Sequence, residues 1–586
     1  MNPLLQRVTD ICSSVFGETL PISHPAHEAF GDYCVNVMQL RERPSQEKIA
    51  SYIEALSTSE LFEKIEQKGA FINMHVHASI LAQTVDEILA QPDTYGASDW
   101  GAGQTWAVEH TSPNPNKAMH LGHLRNNVLS MALSRIWEKI GIRVIREAVD
   151  NNRGIAIARL MWGYLHYGHA SGNAPEDPSV AYWFDHQEEW HTPETLAQNP
   201  GKFVDALYVQ ASSAYEAVET VKTEVRQLVI DWESGDTKVW ELWKKVLSYS
   251  YAGQELTLAR LDNHWDHIWH EHDHYQQGKS YVEQGLAQGI FVTSDEGTVI
   301  TQLEKKYDMP DTVLLKSDGT SLYITQDIAL TDLKIREHRA DRLIWVVGPE
   351  QSLALKQLFA VCEQLGIGPL STYTHITYGW MSLKGAGSMS SRKGTVVYID
   401  DLLDMAVAQA RAEIRNPDAL QQPIEEVAER IGVGAVKYSL LKVGRTQEIA
   451  FDLKEAVRFE GNSGPYIQYA YARMMSLLRK IGENTDLAKS TASKTQSTYD
   501  PAEKLLMREL TRYPEVVLEA GTQYSPHLIA QYIYALTQKF NVFYEESPIL
   551  QAPGDVQSRR LALVEATSHV VRNGLTLLGI EVVDAM

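Results

Sequence analysis

Hydrophobic residues change their spacing several times along the chain, and each change marks a different kind of structure. From residue 1 to about 98, helical patterns flank GAFINMHVH (69–77), whose alternation predicts a half-buried strand. Near Trp106 the pattern becomes strand, helix, strand. TWAVEHT predicts the first strand; Leu124, Val128, Ala132, Ile136 and Ile140 then recur every four residues along a helix that Gly141 stops. IRVIREAV continues as a strand, completing a βαβ unit, the start of a parallel, doubly wound sheet. Between residues 161 and 302 this gives way to mostly helical segments rich in Trp, Tyr and His. Sheet signals resume at TVLLKSDGTSLYIT, where Asp318-Gly319 predicts a hairpin turn; after a helix at DIALTDLKIREH, the apolar run LIWVVG predicts a buried parallel strand. Beyond Asp401 everything reads as helix, except ENTDLAKSTASKTQST (483–498), which predicts disorder.

Four parts follow. Residues 1–98 form an α+β domain, and 99–400 a Rossmann-type, doubly wound parallel sheet split by an insertion at about 161–302. A helical connector spans 401–455, and 456–586 form an all-α domain. Composition narrows the class. A chain of 586 residues is too long for one hydrophobic core, and 44% apolar with 22% charged residues is ordinary for a soluble globular protein. No stretch reaches the ~20 apolar residues of a membrane span, and the first thirty residues hold no apolar run of secretory length. Cys12, Cys34 and Cys362 lie far apart and in no C-x-x-C pair, which argues against a disulfide framework and a structural zinc site and fits a reducing cytoplasm. The net charge of −22 weighs mildly against nucleic-acid binding, so any such contact needs a local basic face.

The most informative segment is SPNPNKAMHLGHLRNN (112–127), in which His120 and His123 flank Gly122 where a strand's loop becomes a helix. A helix N-terminus offers free N–H groups and a positive dipole end to an anion. Two imidazoles add donors for phosphate oxygens as charge builds during displacement at phosphorus, Gly122 lets a nucleotide approach the backbone, and Lys117 supplies a mobile cation. Far downstream, SMSSRKGTVVYID (388–400) is a small-residue loop ended by Arg392 and Lys393, suited to close over a triphosphate and stabilise leaving pyrophosphate. Each motif alone has a bland alternative: a chance tetrapeptide, a polar surface turn.

Together the two segments resemble the HIGH and KMSKS signatures of class I aminoacyl-tRNA synthetases, here HLGH and SMSSR. The flanks VEHTSPNPNKAMHLGHLRN, LYITQDIAL, WVVGPEQ, MSSRKGTVV and FEGNSGPYIQYAYAR resemble arginyl-tRNA synthetases in particular, as do FGDYCVN near the start and LLGIEVVDAM at the end. The resemblance implies ATP-dependent charging of tRNA(Arg) with L-arginine through arginyl-adenylate, with Mg²⁺ assisting, by a monomer that binds tRNA before the first step. It implies that His120, Gly122, His123, Met389, Ser390 and Ser391 hold ATP, and that His120, His123, Lys117, Arg392 and Lys393 serve catalysis. Glu109, Ser112, Pro113, Asn114, His123, Tyr323, Asp327 and Gln351 would form the arginine site. A buried carboxylate can take a guanidinium through two parallel hydrogen bonds, which lysine cannot match. Asp327 would also serve as a helix N-cap, and Tyr323 as core.

Two departures stand out. Ser388 replaces the first KMSKS lysine, and the resemblance implies that Lys117 compensates. Asn151-Asn152 replaces the Asn-Asp more common in the family. In the C-terminal helix GPYIQYAYARMMSLLRKIG (464–482), Tyr466, Tyr469 and Arg473 are candidates for an anticodon loop, which is read by stacking and cationic contacts; tyrosines at this spacing are also commonly core. Asp32, Tyr33 and Asn36 fall in the domain that meets the tRNA elbow in this family. The stretch NHWDHIWHEHDHY (263–275) reads as a solvated face of the insertion rather than a metal site. A class I enzyme for another amino acid, a silent tRNA-binding relative and a small-molecule adenylyltransferase remain as alternatives.

Overall fold

A computed structural model of the chain describes residues 2–172, 175–384, 397–414, 417, 420–482 and 499–586. Five short apolar segments pair in parallel: β1 (Thr105–Glu109), β2 (Arg143–Asp150), β3 (His267–His270), β4 (Arg342–Val346) and β5 (Tyr373–Ile376). Their order is β5-β4-β1-β2-β3. The chain builds outward from β1 in one direction and then returns to its other side, so strand order reverses between β1 and β4. Ligands of open α/β sheets bind at the carboxyl ends of strands beside such a reversal.

Helix α1 (Leu121–Lys139) makes the first crossover. Its apolar positions Leu124, Val128, Ala132 and Ile136 are buried, as their spacing predicts. Gly141 ends it at φ +92°, and a Cβ there would sit 2.9 Å from the Ser98 carbonyl oxygen, so only glycine fits. One apolar core runs from Leu4 through Leu124 to Ile580 and joins the N-terminal, sheet and helical parts. A second core, rich in Trp and Tyr, fills the insertion around Trp162, Trp183 and α2 (Thr237–Arg260).

Three predicted features come out differently. The His-rich stretch is not a solvated face of the insertion, because its HIWH segment is β3, the edge strand of the parallel sheet. Trp269 there is buried and donates its indole N–H to Glu147 Oε2 at 2.5 Å. Four residues of alternation among polar histidines were too short to announce a strand. In the second feature, Gly319 does turn the chain at φ +77°, but the return is one bridge, Ser321 to Leu315, rather than a strand. Helix α3 (Tyr323–His338) begins at once, because Ile324 and Ile328 share a face that packs into the core. Asp327 therefore lies in the second turn and caps nothing. Third, a strand pair interrupts the helical C-terminal reading: β6 (Met381–Leu383) lies parallel to β7 (Ile449–Phe451), beyond helix α4 (Ile424–Leu441). Helix α5 (Gly464–Gly482) forms as predicted. The loop read as disordered, 483–498, and the downstream motif with Met389, Ser390, Ser391, Arg392 and Lys393 lie outside the described residues.

The N-terminal part carries a four-stranded antiparallel sheet that includes Phe71–Val76. Polar contacts add to the shared apolar core where it docks on the helical part. Asp32 pairs with Arg508 and accepts the Val76 N–H at 2.7 Å, and Tyr33 donates to Glu515 at 3.3 Å. Both are buried, at 4% and 1% exposure, so neither is presented to RNA; only Asn36 stays at an accessible edge. Among the described residues no helix is long and apolar enough to cross a membrane.

Candidate active site

The site is assembled at the reversal between β1 and β4. After Glu109 and His110 the chain turns sharply at Thr111, which sits at φ +50°, a costly backbone region for a β-branched residue. Asn126 of α1 holds it there. Its Oδ1 accepts the Thr111 N–H at 2.8 Å, while its Nδ2 donates to the Val346 carbonyl at the end of β4. One buried amide thus fixes both sides of the reversal, and the turn throws Ser112, Pro113 and Asn114 across the strand ends. Ser112 Oγ accepts the Val149 N–H from β2 at 3.0 Å. Asn151 donates to Asn114 Oδ1 at 3.1 Å and orients that amide. Asn152, the second residue of the Asn151-Asn152 departure, donates to Asp150 at 2.9 Å. A carboxylate in its place would face Asp150 with like charge.

The two histidines open α1 as a reciprocal cap. His120 Nδ1 accepts the Gly122 N–H at 3.2 Å, and His123 Nδ1 accepts the His120 N–H at 3.3 Å. Their rings lie 4.1 Å apart. Burial pushes His120 down to about 4, with the charge of Lys117 adding to it. Burial, then His120 and Lys117, push His123 down to about 3. Both rings are therefore neutral at physiological pH. Because each Nδ1 is an acceptor, the proton sits on Nε2, and each ring turns an N–H donor away from the helix. Half-buried Lys117 acts electrostatically on both rings.

The residues that follow the downstream motif meet this turn. Tyr398 forms an antiparallel bridge with His120, the Ile399 N–H donates to the Met119 carbonyl at 3.1 Å, and Tyr398 Oη donates to Asp205 at 2.6 Å. On the other flank, Lys384 donates its N–H to the Phe451 carbonyl at 2.9 Å. His120 and Tyr398, more than 270 positions apart in sequence, are thereby stitched at one helix end.

The other side of the site is acidic. Glu109 and Glu147 are register partners on β1 and β2, two carboxylates side by side. Lys334 of α3, itself 2% exposed on its side chain, separates them at 2.7 and 3.1 Å. Asp327 lies two turns earlier on the same helix. Burial raises its carboxyl to about 7; the charge of Glu109 adds to this, Lys334 opposes it and Glu271 adds a little. The residue nonetheless keeps an exposed edge, and Tyr323 beside it is 80% exposed and not core. Gln351 is exposed at the end of the turn Pro349–Gln351 that follows β4. Lys334, Glu147 and Asn126 were missed in the sequence, and Asn151 was noted only as part of a departure from the family pattern. Lys334 left a signal, since it falls three residues after Thr331 on the buried face of a helix.

On α5, Tyr471 is core, and Tyr466 is half-buried and accepts from Asn541 at 2.8 Å. Tyr469 is 42% exposed, and the Arg473 guanidinium lies 5.6 Å from its ring and 4.8 Å from that of Tyr544. These residues, with Arg479 and Lys480, line a cleft of about 290 Å³. It is a local basic face on an acidic molecule.

Known proteins agree with this architecture along its whole length. The family of class I tRNA synthetase (R) catalytic domains matches residues 84–160 and 180–453, the DALR anticodon binding domain 467–586, and the arginyl tRNA synthetase N terminal domain 3–76. Arginine–tRNA ligase of Porphyromonas gingivalis is 33% identical over 91% of this chain and 89% of its own. That of Treponema pallidum is 31% identical over 98% and 96%. In fold, the chain resembles arginyl-tRNA synthetases of Thermus thermophilus (TM-score 0.79, 24% identity, 99% of this chain and 100% of that one) and Plasmodium falciparum (0.76, 18%, 100% and 100%).

Proposed function

The chain belongs to the arginyl-tRNA synthetases, class I enzymes that join arginine to tRNA at the expense of ATP, and from this premise we propose how its own residues divide the work. The arginine carboxylate attacks the α-phosphorus of ATP in line, forming arginyl-adenylate and releasing pyrophosphate. A ribose hydroxyl at the 3′ end of tRNA(Arg) then attacks the arginyl carbonyl, and AMP leaves. The protein contributes position and charge, with no covalent intermediate.

His120 and His123 donate their Nε2–H groups to phosphate oxygens, Gly122 admits the nucleotide, and Lys117 supplies the charge that Ser388 lacks. Arg392 and Lys393, with Met389, Ser390 and Ser391, serve the leaving pyrophosphate. Asp327 and Glu109 receive the guanidinium, Tyr323 lies along the side chain, and Asn114, Ser112, Pro113 and Gln351 hold the amino-acid end. Mg²⁺ comes as MgATP. The groups assigned to the phosphates are N–H donors and cations, the wrong chemistry for a hard ion that takes oxygen ligands, so the ion rides on the triphosphate and no step passes through it.

The observation that supports this reading is the His120–Tyr398 bridge, which brings the residues that follow the downstream signature to the histidine turn, at the strand ends that also bear Glu109. Tyr469 and Arg473 are assigned to the anticodon loop. Asn36, next to exposed Phe71 in the register, is assigned to the tRNA elbow in place of buried Asp32 and Tyr33. We assign the domains to 1–98, 99–400, 401–455 and 456–586, and action as a monomer in the cytoplasm, in keeping with three free, buried cysteines. Pyrophosphate exchange with each amino acid, with and without tRNA, tests the assignment. Exchange should require arginine and should need tRNA(Arg); exchange with another amino acid would overturn the pocket assignment, and full exchange without tRNA would overturn the order of binding.

A further inference from the structure

A buried guanidinium usually meets a carboxylate, because its charge is costly to leave unpaired. Arg125, two residues after His123 and 3% exposed, has no carboxylate partner among the described residues. It donates instead to four backbone carbonyls: those of Gly379 and Trp380 (3.0 Å), and those of Arg445 (3.0 Å) and Gln447 (2.6 Å). The first pair lies between β5 and β6. The second lies between α4 and β7, where the chain passes from the sheet part to the helical part.

These two segments touch through their backbones. The Gly379 N–H donates to the Arg445 carbonyl at 2.9 Å, the Ile449 N–H to that of Trp380 at 2.9 Å, and the Arg445 side chain to that of Thr377 at 3.1 Å. A Cβ on Gly379 would lie 2.4 Å from the Gln447 carbonyl oxygen, so nothing larger fits. The crossing aims several carbonyl dipoles at one point just past the C-terminal end of α4, where helix carbonyls already favour a cation. Arg125 is that cation. Next to it, Asn126 pins the same helix to the sheet reversal.

We propose that Arg125 is a positioning residue for adenylate formation: it locks the helix that begins with His120 and His123 onto the crossing of the two segments, so the phosphate-handling turn keeps register with the helical part of the molecule. Arginine is held by other elements, namely the loop after β1, helix α3 and the turn after β4. Loosening the clamp therefore acts first on the ATP phosphates, while Asn126 still holds the loop after β1 in place through Thr111 and Val346.

The test compares R125K, which keeps the charge but has fewer donors in a different geometry, with L129A. Leu129 lines the same small gap beside Arg125 and controls for loosened packing. In arginine-dependent pyrophosphate exchange with saturating tRNA, R125K should lose roughly 10- to 100-fold in kcat and raise the KM for ATP, the order of effect expected when reacting atoms shift by about 1 Å. Its KM for arginine and its Kd for tRNA should stay within twofold. L129A at a similar drop in Tm should keep kcat within about threefold. An R125K kcat within twofold of the parent, or an equal loss in L129A, would overturn the proposal. If R125K does not fold, R125Q carries the same test, and failure of both to fold would make Arg125 a folding residue and sink the idea. The inference rests on placing ATP at His120 and His123; should H123A leave exchange intact, that placement fails whatever R125K does.

Discussion

The two halves of the site solve opposite problems. On the phosphate side the donors are finished before substrate arrives: both imidazoles are capped, neutral and fixed in one tautomer, and Asn126 and Arg125 brace the helix beneath them. On the arginine side the charges are unbalanced. One lysine serves Glu109 and Glu147, and Asp327 is left with a carboxyl raised by burial and by its acidic neighbours. A polyanion meets preorganised dipoles, whereas a monocation meets a deficit that it alone corrects. On the proposed assignment, specificity for arginine resides in the imbalance and rate resides in the preorganisation.

Removing the imbalance should cost most. In D327N the guanidinium meets an amide whose N–H group repels it, and truncating one partner of a hydrogen-bonded charge pair costs about 2–5 kcal/mol, or roughly 30- to 5,000-fold. Arginine-dependent pyrophosphate exchange should show that loss mainly in the KM for arginine, with the KM for ATP little changed. A D327N enzyme whose arginine KM stayed within threefold would break the division between the halves.

Removing one finished donor should cost less and fall elsewhere. H123A deletes an N–H group aimed at developing charge, an effect of about 10²–10³ in kcat for a comparable donor. It also removes the acceptor that caps the His120 N–H. Exchange kinetics should place the loss in kcat, while direct arginine binding by calorimetry stays within a few fold. The reverse pattern would show that His123 belongs to the amino-acid side. K117A comes next, about tenfold in kcat, as expected for a mobile, partly solvated cation near a triphosphate. An unchanged exchange rate in K117A would show that nothing at this position compensates for Ser388.

Legibility in the sequence follows the same division. The α1 turn was readable because its chemistry is contiguous: two histidines, a glycine and a helix with an apolar repeat of four. The parallel sheet was readable wherever a strand was a continuous apolar run, as at LIWVVG. The charge balance was not readable, because it depends on which strand lies beside which. Glu147 becomes the neighbour of Glu109 only once β1 and β2 pair, and Lys334 matters only once α3 packs over both. β3 stayed hidden because an edge strand of four residues, three of them histidine or tryptophan, has no room for a period to show. Asp32 and Tyr33 lay in a segment read for RNA contact, yet the residues that claim them, Arg508 and Glu515, stand almost 500 positions away in the helical part.

The smallest effect is the most direct reading of the comparison, since it separates the halves by pH alone. Free Asp327 changes protonation near pH 7, because burial and the neighbouring carboxylates disfavour its charged form. A bound guanidinium favours that form and lowers its pKa. Affinity for arginine should therefore be full well above pH 7 and fall as the pH drops through 7, by no more than about tenfold per pH unit for a single group. Binding at pH 7 should release about half a proton, and binding near pH 8.5 almost none. Calorimetry in two buffers of different ionisation enthalpy measures this directly, and D327N should abolish it. The imidazoles of the phosphate side, at about 4 and about 3, stay neutral across this whole range. Equal heats in both buffers at pH 7 would mean that Asp327 is already ionised in the empty site, and that the charge deficit is filled by the protein before arginine arrives.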